Sequence, residues 1–329
     1  MGQINSTDFL PSEGIRYARH FSLSEVGILG QKKLKAARVL CVGAGGLGSP
    51  ILMYLAAAGV GTIGILDNDH VELSNLQRQL LYTTDDIGKA KVQTAKNKLL
   101  QLNPELNIIA HEFFLDKTNA LSLVQNYDIV VDGADNFVTR YLINDVCFHL
   151  KKPNVYGSIF QFEGQCSVFN VMGGPCYRCL YPAPPPPGLL QNCAEGGVLG
   201  VVAGLIGTIQ ATEVIKLILN TGDSLHGRLL TVDVLSMRFK EYAVQKNADC
   251  CLCIQKQSFE SLAYHDLLVC PYLASSADDE ITVQTLQDMQ RKAMDFILLD
   301  IREPHEYAIC NLGGTINSFC AVRKKIKCS

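Results

Sequence analysis

The chain has no excess of positive charge and no unbroken apolar run of membrane-spanning length, and its opening residues are not expected to act as a secretory leader. Its 29 Lys and Arg stand against 32 Asp and Glu, for a formal net charge of −3. A general binder of nucleic acid or of an anionic membrane needs a basic face, so neither partner is expected. A transmembrane helix needs about 18 consecutive, mostly apolar residues. The apolar stretches here are broken by polar side chains, and no stable membrane insertion is expected. The opening MGQINSTDFLPSEG lacks a basic-then-apolar order. It fits the loose myristoylation pattern of Gly2 followed by Ser6, beside the plainer expectation that residues 1–14 are a disordered N-terminus.

What is present is ordinary globular composition, with 329 residues, 48% of them hydrophobic and 19% charged. That length suits one large domain and a small one. Thirteen cysteines are many for a chain without an export signal. In a reducing compartment, clustered cysteines point to metal or catalysis instead of disulfides. Cys176 and Cys179 form one CxxC, and Cys250 and Cys253 a second. Two such knuckles predict a tetrahedral zinc site that ties distant segments together, and four thiolates leave no open position, so the metal is structural. A redox CxxC is the alternative, although such pairs normally stand alone near a helix start. The spacing favours Cys250 and Cys253 over the adjacent Cys251.

Hydrophobic periodicity predicts an amphipathic helix over 15–38, carrying Phe21, Leu23, Val26, Ile28, Leu29 and Leu34. Strand-like ARVLCVG then runs into GAGGLGSP and a helical stretch to Ala58, and TIGILD ends at Asp67. NIIAHEF, YDIVVDGAD, a helix through Leu150 and PNVYGSIF continue the alternation. Such alternation implies parallel βαβ units, hence an α/β, Rossmann-like doubly wound sheet. After Gly157 the pattern changes. QFEGQCSVFNV alternates like an antiparallel strand, and Pro184 to Pro187 predict a stiff extended segment. The helix expected from Val198 to Leu219 is apolar almost all round, which suits a core or a subunit interface and not a membrane. GRLLTVDV and RFKEYAV extend the sheet before the second cysteine pair. The expected organisation is a large domain over 15–257, a linker over 258–279 and a small module over 280–329.

Gly43, Gly45 and Gly48 form a GxGxxG between a predicted strand and helix. Glycines let the backbone turn tightly and approach phosphates, while the helix N-terminus supplies N–H donors. Asp67, at the end of the next strand, can bind ribose hydroxyls. These residues leave ATP and NAD both open. Asn75, Arg78 and Lys91 follow, and two cations with an amide suit a triphosphate better than a nicotinamide pyrophosphate. Asp135, after DIVVDGAD, can hold magnesium through its oxygens.

GAGGLGSP, AAAGVGTIGILDNDHVELSNLQRQ, GKAK, DGADNFVTRYLIND, FEGQCSVF, GGPCYRC and NCAEGGVLGVVAGLIGTIQATEVIK resemble the MoeB/ThiF adenylyltransferases over about residues 15 to 255. The details are most similar to the eukaryotic-style branch that serves molybdopterin synthase and Urm-type modifiers and adds a rhodanese-like domain. The resemblance implies ATP, Mg2+ and Zn2+ as cofactors. It also implies nucleotide contacts from Gly43, Gly45, Gly46, Asp67, Ser74, Asn75, Arg78, Lys91, Asp135 and Asn136, with Asp135 on magnesium. Arg19 would reach into the neighbouring subunit's site, which implies a homodimer. The reaction implied is adenylylation of the C-terminal Gly-Gly carboxylate of a ubiquitin-like sulfur-carrier protein, in the cytosol, for molybdenum cofactor biosynthesis, tRNA thiolation or both. A cysteine-desulfurase-type sulfur donor is a further implied partner. The resemblance places a thioester- or persulfide-forming cysteine at Cys193, whose Gly-rich, turn-like setting before a helix suits a low-pKa thiol. The competing readings are a tRNA-modifying adenylating cyclase, which wants a basic face, and a non-catalytic scaffold subunit, which should lack Arg78, Lys91 and Asp135.

FILLDIREPHEYAICNLGGTINS resembles the opening of a rhodanese domain, through Asp300, Arg302, Glu303 and Glu306. The basic tail SFCAVRKKIKCS does not continue that pattern, and Cys320 and Cys328 do not sit in an active-loop arrangement. The expectation is a partial, poorly packed module that does not itself donate persulfide.

Overall fold

The computed structural model describes residues 9–184, 197–262, 282–292, 294, 296, 298–300 and 315–316. The chain divides into two units, Met1–Cys270 and Pro271–Ser329.

The first unit is organised by β1 (Arg38–Val42), β2 (Thr62–Leu66), β3 (Asn107–His111), β4 (Ile129–Asp132), β5 (Asn154–Phe160), β6 (Glu163–Phe169), β7 (Arg228–Asp233) and β8 (Arg238–Ala243). They form one eight-stranded sheet in the order β3-β2-β1-β4-β5-β6-β7-β8. The first five strands pair in parallel and the last three add antiparallel. This is the doubly wound sheet with an antiparallel extension that the alternation implied. β1 shows why both faces must be covered. Its Val39 and Cys41 enter one apolar cluster, with Ile51 and Leu55 of α4 (Gly48–Ala58) and Leu99 of α5 (Lys91–Leu102). Its Leu40 and Val42 enter the other, with Val124 of α6 (Ala120–Val124) and Tyr141 and Val146 of α7 (Phe137–Leu150). The period-two alternation of a strand thus feeds two cores at once.

The long helix Gly200–Leu219 packs on the first of these faces, through Val202, Ile206 and Val214. By length and composition alone it would pass for a membrane span. Its polar residues are spent inside the fold. Gln210 donates from Nε2 to the carbonyls of Asp132 (2.7 Å) and Val155 (3.1 Å), and Glu213 accepts from the Leu225 amide (2.8 Å). Gly207 lets the helix close on α4, since a Cβ there would stand 2.6 Å from the Leu47 carbonyl oxygen.

Three expectations need correction. The single helix over 15–38 is three short ones, α1 (Pro11–Arg16), α2 (Ala18–Phe21) and α3 (Gly27–Ala36), and Arg38 already belongs to β1. Gly27 at φ 53° breaks the helix, and of the six apolar residues that suggested it, Leu34 alone is fully buried. Residues 9–14 are ordered, not a loose N-terminus. Phe9 is buried, and buried Glu13 pairs with Lys35 at 2.7 Å. Within the stretch expected as a linker, Phe259 and Leu262 are buried in the second core and Lys117 Nζ donates to the carbonyls of Glu260 (2.6 Å) and Leu262 (2.7 Å).

In the second unit the described residues form a helix, Val283–Arg291, capped by the Thr282 hydroxyl, and a parallel pair of short strands, β9 (Leu299–Asp300) and β10 (Thr315–Ile316). Arg302, Glu303, Glu306, Cys320 and Cys328 lie outside the described residues, as do Gly2, Ser6 and the prolines from Pro185.

A Cβ at Gly48 would stand 2.1 Å from the Gly43 carbonyl oxygen, backbone against backbone, whereas Gly14 in α1 has nothing within 4 Å of one. Gly48→Ala should therefore cost on the order of 3 kcal/mol in urea unfolding, and Gly14→Ala should be neutral or slightly stabilising. Equal effects at both positions would refute this account of the β1–α4 turn.

Candidate nucleotide cleft and four-cysteine centre

β1 and β4 are neighbours whose connections leave in opposite directions, so the sheet has its switch point between their C-terminal ends, where a crevice opens. The glycine loop enters there. Gly43 has φ 95°, and a Cβ on it would stand 2.6 Å from the Gly133 carbonyl oxygen. Gly45 meets only the Gln79 amide at 3.6 Å, which leaves its backbone open to a ligand. Gly46 lies under the Arg78 side chain, with Cγ 3.4 Å from a notional Cβ. Gly48 opens α4, so its first-turn amides complete the anion-attracting end of the loop.

Charged side chains line the same cleft: Asp67, Asp69, Arg78, Lys91, Asp135 and Arg140. Asp67 accepts from the amides of Ala44 (2.8 Å) and Asp69 (2.9 Å), which joins the glycine loop to the end of β2. Burial raises its pKa, with the Lys91 ammonium as the largest opposing influence. Lys91 is the first residue of α5 and is buried; its Nζ holds Asp69 Oδ2 at 2.8 Å, and that partner carboxylate is exposed. The buried ammonium is thus paired with a counterion that faces solvent at the cleft. Arg78 Nη1 donates to the Ser74 carbonyl at 3.1 Å. Asp135 is exposed at the rim, with a long 3.4 Å contact from Asn136 Nδ2, and Asn136 caps α7 through the Thr139 amide (2.9 Å).

Several cleft residues escape the sequence reading. Phe113, Phe114 and Leu115 form an apolar wall just past β3, signalled only by the aromatic pair in HEFFL. Gln79 is buried on the wall, and its Oε1 has no hydrogen-bond partner. Tyr82 clamps the glycine loop by donating to the Ala44 carbonyl at 2.9 Å. Arg140 donates from Nε and Nη2 to the Ala134 carbonyl (3.2 and 2.8 Å) beneath the rim. Of the expected contacts, Ser74 and Asn75 are absent from the cleft wall. They build the turn beneath it, where the Asn75 carbonyl accepts from the amides of Arg78 (3.1 Å) and Gln79 (3.0 Å). Arg19 is exposed on α2 and does not line this chain's own cleft. Cys193 lies outside the described residues.

The four CxxC cysteines meet. The sulfurs of Cys176, Cys179, Cys250 and Cys253 all lie within 4.8 Å of one another. Among these pairs Cys179–Cys253 stand at 3.5 Å, Cys176–Cys250 at 3.6 Å and Cys176–Cys179 at 3.9 Å. Thiolates at ~2.3 Å around a tetrahedral ion stand about 3.8 Å apart, so this cluster can hold a metal ion. Cys251 is not among the four.

The family described as ThiF matches residues 17–253, from α2 to the last of these cysteines. The chain belongs to the ThiF family. The adenylyltransferase and sulfurtransferase MOCS3 of Aedes aegypti is 46% identical over 316 residues, covering 93% of this chain and 72% of the relative. That match necessarily runs into the second unit. The probable adenylyltransferase/sulfurtransferase MoeZ of Mycobacterium tuberculosis is 43% identical, over 92% of this chain and 78% of the relative. Among solved structures, E. coli MccB with ATP superposes with a TM-score of 0.63 at 25% identity, over 72% of this chain and 74% of that one.

Beneath the cleft of this ThiF-family chain lies Asp132, wholly buried, with Oδ1 accepting from the Ala134 amide at 3.0 Å and Oδ2 unpartnered. Burial pushes its pKa up to about 6, against the pull of Arg140. The unfolded value is about 3.9, so between these values the folded chain keeps a proton the unfolded chain has lost. The ionisation of Asp132 therefore contributes nothing at low pH and destabilises progressively as pH rises, by about 3 kcal/mol once it is complete. Urea titrations of Asp132→Asn and its parent should diverge in the variant's favour by up to that amount from about pH 4 to pH 7. A pH-independent difference would contradict the assignment.

Proposed function

We propose that this chain uses ATP to adenylylate the C-terminal Gly-Gly carboxylate of a ubiquitin-like sulfur-carrier protein. The observation that carries the reading is the convergence of the glycine loop, Asp67, Arg78, Lys91 and Asp135 on one cleft at the switch point of the sheet. The 43–46% identity to proteins named adenylyltransferase and sulfurtransferase supports it. So does the likeness to a fold solved with ATP, and also with AMPCPP and the peptide MccA.

The cleft suits the chemistry. A carboxylate oxygen forms a bond to the α-phosphorus while the α–β bridging P–O bond breaks, leaving an acyl adenylate and pyrophosphate. Both the reacting and the leaving groups are anionic, so electrostatic stabilisation dominates the barrier. The glycine loop and the first turn of α4 cradle the phosphates with N–H groups, Asp67 takes the ribose, and Phe113 and Phe114 face the base. Lys91 gives up Asp69 for the phosphates, and Arg78 lies over Gly46 to meet them from the other side. Asp135, with Asn136 beside it, offers oxygens of the kind magnesium takes, and a bound Mg2+ would neutralise phosphate charge. Ser74 and Asn75 act by shaping the Arg78 turn. At the four cysteines the metal is Zn2+, with a structural role, since all four positions are filled by thiolates.

Arg19, exposed on α2, completes the cleft of a second copy in a homodimer. Exposed apolar side chains at Met53, Tyr54 and Val201 offer surface for such a contact. Cys193 accepts the activated acyl group or carries sulfur. The product supplies thiocarboxylate formation for molybdenum cofactor biosynthesis, tRNA thiolation or both, in the cytosol, with a cysteine-desulfurase-type protein as sulfur donor.

ATP–pyrophosphate exchange with a panel of carriers ending in Gly-Gly tests this. Exchange should require the intact diglycine and fall at least 100-fold in Lys91→Ala and Asp135→Ala, the scale set by loss of one preorganised charge. Absence of exchange with every carrier, despite ATP binding, would sink the reading. In the same preparations, Cys193→Ala should keep exchange and lose sulfur transfer to the carrier; a variant unaffected in both assays would remove Cys193 from the mechanism.

A further inference from the structure

Helix α7 carries the cleft at one end and grips the four-cysteine centre with the other. Its N-cap Asn136, with Thr139 and Arg140 in its first turn, lines the cleft. Two turns on, wholly buried Asn144 and Asp145 face the Cys176–Cys179 knuckle. The two residues between those cysteines are the ones they hold. Arg178 grips Asp145 with two prongs, Nε to Oδ1 at 2.8 Å and Nη2 to Oδ2 at 2.7 Å. The Tyr177 amide donates to Asn144 Oδ1 at 2.7 Å, and Asn144 Nδ2 donates to Asp145 Oδ1 at 2.9 Å. The Arg178 guanidinium also lies over the Tyr141 ring, 4.7 Å from its centroid, and Tyr141 donates to the Tyr181 carbonyl at 2.9 Å. From Asn136 to Asp145 the helix spans roughly 14 Å at 1.5 Å per residue.

From this juxtaposition we propose that metal binding at the four cysteines and nucleotide binding in the cleft are thermodynamically coupled through α7, with Asn144 and Asp145 as positioning residues. The proposal rests on the cleft being the ATP site and the cysteines a zinc site. The reason is mechanical. Cys176 and Cys179 fix the backbone that presents Tyr177 and Arg178, so whatever holds the sulfurs together holds the fork on Asp145. Without the metal, the knuckle is no longer bonded to Cys250 and Cys253. If it shifts, a buried carboxylate loses its paired charge, and the cheapest remedy is movement of α7 toward another partner or toward water. That movement displaces Asp135, Asn136 and Arg140 together, because they sit on or just before the first turn of the same rigid rod. A structural metal that merely stapled the chain would leave the cleft indifferent to its presence.

Coupling between two binding equilibria is reciprocal, and that gives a test in the unmodified protein. Zinc-loaded full chain is titrated with 4-(2-pyridylazo)resorcinol, and metal release at equilibrium is followed by absorbance with and without saturating Mg-AMPCPP. Nucleotide saturation is measured separately by calorimetry. Lys91→Ala, run with the same nucleotide, corrects for metal sequestered by the nucleotide in solution. The expected result is that about tenfold more chelator is needed to remove half of the zinc at equilibrium when nucleotide is bound, within the usual range of coupling between sites. Arg178→Lys keeps the charge but loses the two-pronged grip. It should bind zinc and nucleotide separately while the tenfold effect falls to less than twofold. Zinc removed as readily, or more readily, at calorimetric saturation with nucleotide overturns the coupling and leaves the reading of the cleft intact. No binding of nucleotide at all sinks that reading, and the coupling with it.

Discussion

The first unit is built around a place where backbone touches backbone. Gly43, Gly48 and Gly133 bring the ends of β1 and β4 and the start of α4 closer than any side chain allows, with notional Cβ atoms 2.1 to 2.6 Å from carbonyl oxygens at Gly48 and Gly43. That closeness lets Asp67 reach the Ala44 amide across from β2 and lets Tyr82 reach the Ala44 carbonyl from the other side. The loop is thus held from outside at Ala44 and from within at Gly45, whose carbonyl accepts from the Ser49 amide (2.9 Å) and hydroxyl (2.8 Å). A preorganised phosphate cradle needs such an arrangement, since donors already in place cost nothing to reorient when charge develops.

Around this point the protein buries charges in pairs, at a cost that packing must offset. Lys91 with Asp69, Arg140 near Asp132, and Arg178 with Asp145 each put a cation and a carboxylate close together, and at least one member of every pair is buried. The three differ in what lies outside. Lys91 has an exposed partner and opens to the cleft, Asp132 retains an unpartnered oxygen beneath it, and Asp145 is sealed against the cysteine knuckle. The first arrangement suits exchange of partners, the second suits proton uptake, and the third suits rigidity.

Strands and the glycine loop were legible from the sequence because their signals are local: alternation, β-branched runs and glycines at fixed offsets. The cysteine pairs were legible because CxxC spacing is itself a geometric statement. The N-terminal helices were misread because Ile28 and Leu29 repeat at helical spacing yet face outward, and one glycine at positive φ resets the direction of the chain. Gln79, Tyr82 and Arg140 were missed for another reason. Each matters through a partner brought near by the fold, and nothing in its immediate neighbours marks it. Ser74 and Asn75 lie on the loop where they were expected and also build the turn that supports Arg78.

The long helix Gly200–Leu219 has the length and composition by which cells recognise segments destined for a bilayer. Gln210 and Glu213 sit in its second half, and their partners are carbonyls of β4 and β5 and the amide of Leu225. Lipid offers no such partners, and a charged side chain at mid-bilayer carries a penalty of about 3 kcal/mol even on the mildest insertion scale. The same two residues that lock the helix to the sheet are therefore the ones that suit it least to lipid.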